Sequence, residues 1–451
     1  MEPHHRFDPG SVEAFRIVDR GYDPSTRTVR LRYALDDLET FEETVVFETP
    51  PAGGAPPPGE GFDRALLHLH VAAGTSYYKA AAPPVVVVEG SGLTDDERSF
   101  HHHLYDDGLR EFAVANGLAV PRVVELRAGG PAAGPPPPAD RAGGLVVPIG
   151  GGKDSMVLIE AVRALGPRLF AVNPHPLTVD LARQAGLELV VARRTLSPNL
   201  LELNRRGARN GHVPITAIVS LVAVAGSFLY GWDAIAMAVE RSASEETVTV
   251  GGVPVNHQYS KSLDFERLLR RLVAGSIDPS LTYGSALRPY SELAIARAFA
   301  RLDRYHGTFC SCNAAFRQGA APADRWCGHC PKCRFVALML APFLPPGAVT
   351  AILGRDLFAD PDQVPGFAAL MSDGDKPFEC VGERRESAVA LRLLADQPAW
   401  RSSVVVAALA DRARALVTTA DVAATLAPDP DLGFPDPAVA EAVVGLLDGV
   451  S

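Results

Sequence analysis

The stretch from Leu145 to Leu165, LVVPIGGGKDSMVLIEAVRAL, constrains the fold more than any other. A short apolar run, Leu145 to Ile149, stops at the glycines Gly150, Gly151 and Gly152. Lys153, Asp154 and Ser155 then open an apolar pattern of helical period. This order predicts a strand, a tight turn and a helix start. Glycines let the backbone approach a bulky anion, the first-turn N–H groups of a helix point at it, and the helix dipole adds partial positive charge. A turn that merely joined two elements would have no use for Lys, Asp and Ser in succession. The stretch reads as a polyphosphate cradle.

The pattern around this stretch places it in an α/β fold. Short apolar runs at Leu145 to Ile149, Arg168 to Asn173, Leu187 to Ala192 and Asp233 to Val239 alternate with helical patterns at Ser155 to Leu165, Leu177 to Ala185 and Pro214 to Tyr230. Such alternation predicts a doubly wound parallel sheet with helices on both faces, which binds ligands beyond the carboxyl ends of its strands. The glycines fall on that edge. So do Asn173, Pro174 and His175 after the second run and Gly211, His212 and Val213 before the long apolar helix. The polar run Glu240, Arg241, Ser242, Ala243, Ser244 and Glu245 follows the fourth. In NHQYSKS, Asn256 to Ser262, Lys261 suits an anionic substrate, and a solvated helix cap explains the same residues equally well.

Ahead of the sheet, Phe15 to Phe47 alternates apolar and polar residues, which predicts a strand meander with one wet face. Helices are predicted at Arg64 to Lys79 and Leu93 to Asn116, with a strand at Pro84 to Glu89. Residues 128–144, rich in Pro, Gly and Ala, read as a linker. The expected organisation is an N-terminal α+β domain (1–127), the linker, a nucleotide-binding domain (145–345) and a mostly helical C-terminal region (346–451).

The glycine stretch is not the commoner P-loop, which needs four residues between its glycines and Lys directly before Ser or Thr; here Asp154 separates Lys153 from Ser155. It resembles the SGGxDS loop of the PP-loop ATP pyrophosphatases, which cut ATP between its α and β phosphates and adenylate a substrate. Gly150 stands where that family usually has Ser, so the backbone must do more of the work. The resemblance implies that Asn173 lies where backbone groups recognise adenine and ribose, and that His212 belongs to a nucleotide-contacting Gly-His motif.

Many enzymes of that superfamily modify tRNA, which demands a basic surface. This chain of 451 residues carries 43 Lys and Arg against 53 Asp and Glu, a net charge of −10, without a Lys/Arg-rich stretch. That balance argues against a nucleic-acid partner. The N-terminus shows no signal-peptide pattern, and the most apolar stretch, Pro214 to Tyr230, is slightly short for a membrane span and interrupted by Ser220, Gly226 and Ser227. A cytoplasmic protein with no membrane partner is expected.

Five of the six cysteines lie between Cys310 and Cys333. CGHCPKC spaces three thiols two residues apart, and a fourth upstream would complete a tetrahedral site closed to water. Structural zinc on Cys312, Cys327, Cys330 and Cys333 is the expectation, with Cys310 or His329 as substitute ligands and reduced, metal-free thiols as the alternative. The cluster resembles the zinc site of the deazaguanine synthases, themselves PP-loop proteins.

GTSYYKA (Gly74 to Ala80), GGGKDS, NGHVP, AMAVERSASE, NHQYSK, WCGHCPKC and KPFECVGE (Lys376 to Glu383) together resemble the UDP-N-acetylmuramoyl-L-alanyl-L-glutamate epimerases of the MurL type along essentially the whole chain. The resemblance implies ATP- and magnesium-dependent conversion of the terminal L-Glu of a peptidoglycan precursor to D-Glu, through an acyl adenylate and with release of AMP and pyrophosphate. It also implies a separate ligase that adds the L-Glu upstream. Under this reading Gly150, Gly151, Gly152 and Ser155 bind pyrophosphate, Lys153 offsets its charge and Asp154 holds magnesium. Glu240, Arg241, Ser242, Ser244, Lys261, Lys376 and Glu379 are candidates for the substrate. Cys380 and His212 are the candidate acid and base. Two other functions fit the same cradle: a ligase that captures the adenylate with an amine, and a nucleotide-binding protein without catalysis.

Overall fold

The computed structural model describes residues 6–49, 59–315, 325–372, 377, 379 and 381–449. In chain order the strands are β1 (Ala14–Asp23), β2 (Thr28–Leu35), β3 (Glu39–Phe47), β4 (Val85–Val88), β5 (Glu125–Ala128), β6 (Leu145–Pro148), β7 (Arg168–Val172), β8 (Leu189–Thr195), β9 (Ala234–Met237), β10 (Val248–Val250), β11 (Val253–Val255) and β12 (Thr282–Ser285). Ten of them form one sheet in the order β12-β9-β6-β7-β8-β3-β2-β1-β4-β5, and β10 pairs only with β11.

From β12 to β8 all neighbours are parallel. Numbered by their own chain order these five strands run 3-2-1-4-5 from β8 to β12, the doubly wound arrangement whose strand order reverses at β6. The expected parallel sheet is therefore present, with a fifth strand, β12, that the sequence pattern did not reveal. Its four residues, Thr-Tyr-Gly-Ser, carry one large apolar side chain and a glycine, too little for a periodicity to register.

Alternation along the strands divides the core. Val146, Phe170 and Ile235 point to one face, covered by the helices Glu60–Ala73, Ile215–Tyr230 and Leu263–Leu272. Val147, Leu169 and Ala236 point to the other, covered by the helices Lys153–Ala161, Glu292–Phe299, Pro331–Leu340 and Arg384–Asp396. Both faces of the parallel half are thus dry, which is why its strands read as unbroken apolar runs. The long apolar helix Ile215–Tyr230 is buried on nearly every side, and among the described residues no helix is long and apolar enough to cross a membrane.

The N-terminal meander, β1 to β3, continues this sheet. β3 pairs antiparallel with β8, from Thr44 opposite Thr195 to Phe47 opposite Ala192. Residues 129–144 contain no helix or strand and carry the chain from β5, at the far edge, to β6 in the parallel half. Two of the expected helices are interrupted. The first spans Glu60–Ala73 and restarts at Thr75–Tyr78, and Gly74 between them packs so closely that a Cβ there would lie 2.9 Å from the Tyr105 hydroxyl. The second divides into Asp95–Tyr105 and Arg110–Ala115 around Gly108, where a Cβ would meet the Pro214 ring at 3.3 Å.

Candidate active site

The glycine turn sits at the carboxyl end of β6, between its parallel neighbours β7 and β9. Gly151 has φ +96°, a conformation that side chains other than glycine's rarely adopt, and Gly152 is the extended N-cap of the helix Lys153–Ala161. The Gly150 N–H faces the Ser155 hydroxyl at 3.5 Å. The first helical turn therefore opens beyond the sheet at the point where strand order reverses, the usual place for a ligand in such a fold.

Beneath the turn lies a buried charge cluster. The Lys153 ammonium, 2% exposed as a residue, is ion-paired with Asp154 and with Glu292 at the start of the helix Glu292–Phe299. Burial opposes that charge, and the two carboxylates more than compensate, raising the Lys153 pKa. Lys332 Nζ lies 3.7 Å from the other Glu292 oxygen. Asp154, Glu240 and Glu292 each offer an oxygen within 4.8 Å of the others. Burial, then the charges of Glu292 and Asp154, push Glu240 up to about 7 against the pull of Lys261 and Lys153. Three converging hard oxygens suit a divalent cation such as magnesium.

Glu386 backs the cluster. It accepts hydrogen bonds from the Ser242 hydroxyl and, at 3.1 Å, from the Glu292 N–H. Its pKa is driven well above the ordinary range, first by burial and then by Glu383.

Two chambers open above these groups. One, of about 390 Å³, is lined by Gly150, Gly152, Asp154, Ser155, Lys261 and Lys332 among others; the second, of about 710 Å³, by Lys79, Asn173, Arg194 and His212. They share Val172, Ile215 and Val219, so the two volumes adjoin. Asn173 adopts φ +48°, and its side-chain amide bridges to the backbone of Arg194 at 2.7 and 2.8 Å, tying the ends of β7 and β8 together. Lys79 Nζ donates to Asn210 Oδ1 at 2.6 Å and to the Gly211 carbonyl at 3.1 Å, holding the loop that presents His212.

The candidate residues divide accordingly. Gly150, Gly152, Asp154, Ser155 and Lys261 line the first chamber, and Asn173 and His212 the second. Glu240 joins the carboxylate cluster. Lys153 is buried beneath the first chamber. Arg241 reaches the carbonyls of Pro289 and Thr425, at 3.5 and 3.4 Å. Ser242 serves Glu386, and the Ser244 hydroxyl accepts from the Leu263 N–H at 3.1 Å. Glu379 accepts from the Lys332 N–H at 3.2 Å, and burial raises its pKa. Lys376 and Cys380 lie outside the described residues.

Glu292, Lys332, Glu111 and His257 were not singled out from the sequence. His257 stood in the quoted NHQYSK block and Lys332 in WCGHCPKC, whereas Glu292 and Glu111 are single acidic residues on short helices and carried no local signal. Glu111 and His257 meet His212. His257 Nδ1 is hydrogen-bonded to Glu111 Oε2, His212 Nδ1 lies 3.8 Å from the same oxygen, and the two imidazole rings are 4.6 Å apart.

The cysteine segment braces the turn. The Cys312, Cys327, Cys330 and Cys333 sulfurs lie within 4.8 Å of one another, a donor set that fits tetrahedral zinc. The Cys310 thiol instead donates to the Arg325 carbonyl at 2.9 Å, and His329 is exposed. Next to this set, the Cys310 N–H donates to the Gly151 carbonyl at 3.1 Å. A Cβ on Gly152 would meet the Ser311 hydroxyl at 3.1 Å.

Comparison with known proteins agrees along the chain. Residues 6–286 match the model of the MurL N-terminal domain and residues 308–424 that of the MurL C-terminal domain. A Micromonospora protein named UDP-N-acetyl-alpha-D-muramoyl-L-alanyl-L-glutamate epimerase is 43% identical, over 89% of this chain and 91% of its own. Proteins of the same name from Salinispora tropica and Xanthomonas oryzae are 43% and 40% identical, each over 89% of this chain and over 89% and 90% of their own. No solved structure matches. With both domain models matched and this identity sustained over nine-tenths of its length, the chain belongs to the MurL family.

Proposed function

We propose that this protein inverts the terminal L-Glu of UDP-N-acetylmuramoyl-L-alanyl-L-glutamate to D-Glu, in peptidoglycan precursor synthesis, and that it uses ATP to do so through a PP-loop. The substrate and outcome rest on the relatives' shared name. The use of ATP rests on one observation: a glycine turn and helix N-terminus, at the reversal of strand order, beside three converging carboxylates and lysines lining the chamber.

The chemistry explains why an epimerase needs a nucleotide. A proton on the carbon next to an ionised carboxylate is very weakly acidic, because the carbanion would form beside a negative charge. Adenylation masks that charge. The carboxylate oxygen attacks the α-phosphorus of ATP, the bond to the β-phosphate oxygen breaks, and pyrophosphate leaves. A base then takes the proton, return from the opposite face gives the D centre, and water splits the acyl adenylate into D-glutamyl carboxylate and AMP.

In this reading the backbone N–H groups of Gly150, Gly151 and Gly152, with the Ser155 hydroxyl, receive the pyrophosphate, and Lys261 and Lys332 offset its charge. Asp154, Glu240 and Glu292 would hold magnesium, which neutralises phosphate charge when bound. Lys153 keeps Asp154 and Glu292 in register beneath the turn. The second chamber takes the remainder of the reactants, with Asn173 beside the adenosine. Cys312, Cys327, Cys330 and Cys333 would hold a structural zinc that fixes the brace on Gly151.

Incubation with the UDP-linked substrate, ATP and magnesium, followed by chiral analysis of the released glutamate, tests the reading. D-Glu in a product of unchanged mass, with one AMP formed per turnover, supports it. An amidated product of shifted mass would replace it with a ligase, and inversion at full rate without ATP would remove the nucleotide from the mechanism.

A further inference from the structure

We propose that His212 is the base that takes the α-proton of the activated glutamyl group, with His257 and Glu111 as the residues that position it. The proposal rests on the epimerase reading above. It adds an acid–base group on elements other than the cradle and the carboxylate cluster, which the proposed function assigns to pyrophosphate and magnesium.

Three separate elements build this site. Glu111 comes from the helix Arg110–Ala115, His212 from the loop before the helix Ile215–Tyr230, and His257 from the segment after β11. Of the two imidazoles, His212 lines the larger chamber; its side chain is 23% exposed against 14% for His257. His257 is fixed by Glu111. The remaining Glu111 interaction is with His212 Nδ1 at 3.8 Å, a distance for electrostatic support of an imidazolium rather than a hydrogen bond. The arrangement gives His212 a face toward the reactants and a carboxylate behind it, the disposition a histidine base requires.

Two histidines and a carboxylate with donor atoms within 4.8 Å of one another would also suit a transition-metal ion. However, Lys79, which lines the same chamber as His212, and Lys261, which lines the adjoining one, both act on the ring. Two ammonium groups attract a carboxylate or phosphate, which suits an anionic reactant beside the ring, and the metal content of the purified protein separates the base from a metal ligand. Burial, then His257, and then the two lysines hold His212 down to about 4 against Glu111, which keeps the ring unprotonated at neutral pH and makes it a weaker base than a free imidazole; the Glu111 carboxylate and the negative charge of bound reactants beside the ring favour the imidazolium as the proton is taken.

The step balances as follows. The Cα–H bond of the adenylated glutamyl residue breaks, its proton forms an N–H bond on His212, and its electron pair passes to the acyl oxygen as an enolate. A solvent-derived proton then adds to the opposite face of Cα, and the imidazolium returns its proton to water.

The full-length protein is assayed in D2O with UDP-MurNAc-L-Ala-L-Glu, ATP and magnesium, following pyrophosphate release and deuterium incorporation at the glutamyl α-carbon together. For His212→Gln, deuterium incorporation should fall by about 100-fold or more while substrate-dependent pyrophosphate release changes only a few-fold. His257→Leu should lose roughly tenfold in incorporation, and His257→Asn, which keeps a donor toward Glu111, should recover most of it. Wild-type incorporation in His212→Gln would overturn the proposal. So would loss of pyrophosphate release in both His212→Gln and His212→Asn, which would make the residue part of the nucleotide site. A transition-metal equivalent in the purified protein that disappears in His212→Gln would replace the base with a metal ligand. Absence of substrate-dependent pyrophosphate release in the unaltered protein would instead sink the epimerase reading itself.

Discussion

Lys153, the first residue of the helix after the glycine turn, is ion-paired with Glu292, 139 residues further along the chain. The contact joins the glycine turn to a helix that follows the last parallel strand, and it draws Glu292 into a carboxylate group with Asp154 and Glu240.

Removing one member should be felt twice. Glu292→Leu leaves the buried Lys153 with Asp154 alone and also releases Lys332, so unfolding in denaturant should reveal a loss of about 3 kcal/mol. Glu292→Gln keeps the shape and removes the charge. Its magnesium requirement for pyrophosphate release should rise by about tenfold, and an unchanged requirement would exclude Glu292 from the cation site.

Glu240 gives a pH signature. Its pKa rises from 4.5 to about 7 on folding, so the folded state favours the protonated form. The stability it contributes is complete below pH 4.5 and disappears as pH rises through about 7. Without magnesium, the Tm of the wild type should therefore fall across this interval relative to that of Glu240→Gln. Saturating magnesium should cancel the difference, since binding favours the ionised carboxylate.

The glycines of the turn are not equivalent. Gly151→Ala forces a side chain into φ +96° and should cost about 1–3 kcal/mol together with most pyrophosphate release. Gly150→Ser should fold with unchanged Tm, because a Cβ there meets nothing within 4 Å. It adds a hydroxyl donor at the cradle, and its KM for ATP should fall below that of the wild type.

The cysteines should separate in the same way. Elemental analysis should find one zinc per chain in the wild type and in Cys310→Ser, whose thiol is turned to the Arg325 carbonyl, and none in Cys330→Ala. Loss of the metal should weaken ATP binding by about tenfold, because the Cys310 N–H that holds the Gly151 carbonyl belongs to the same segment. Equal ATP affinity with and without the metal would break that link.

Local order was legible in the amino-acid sequence wherever neighbours along the chain carry the physics. The apolar run, three glycines and Lys-Asp-Ser announced β6, its turn and the next helix. Alternating strands and helices announced a parallel sheet, and the spacing of Cys327, Cys330 and Cys333 announced a cluster whose fourth member the spacing alone left open between Cys310 and Cys312. Neither Glu292 beneath Lys153, nor Glu111 against His257, nor β12 beside β9 was visible, because each depends on segments brought together from distant parts of the chain. A carboxylate in the first turn of a helix has the same one-dimensional pattern whether it meets water or an ammonium group. Only the packed sheet, by stacking β9, β6 and β12 and closing the C-terminal helices over them, determined which of those carboxylates face one another and how strongly their charges interact.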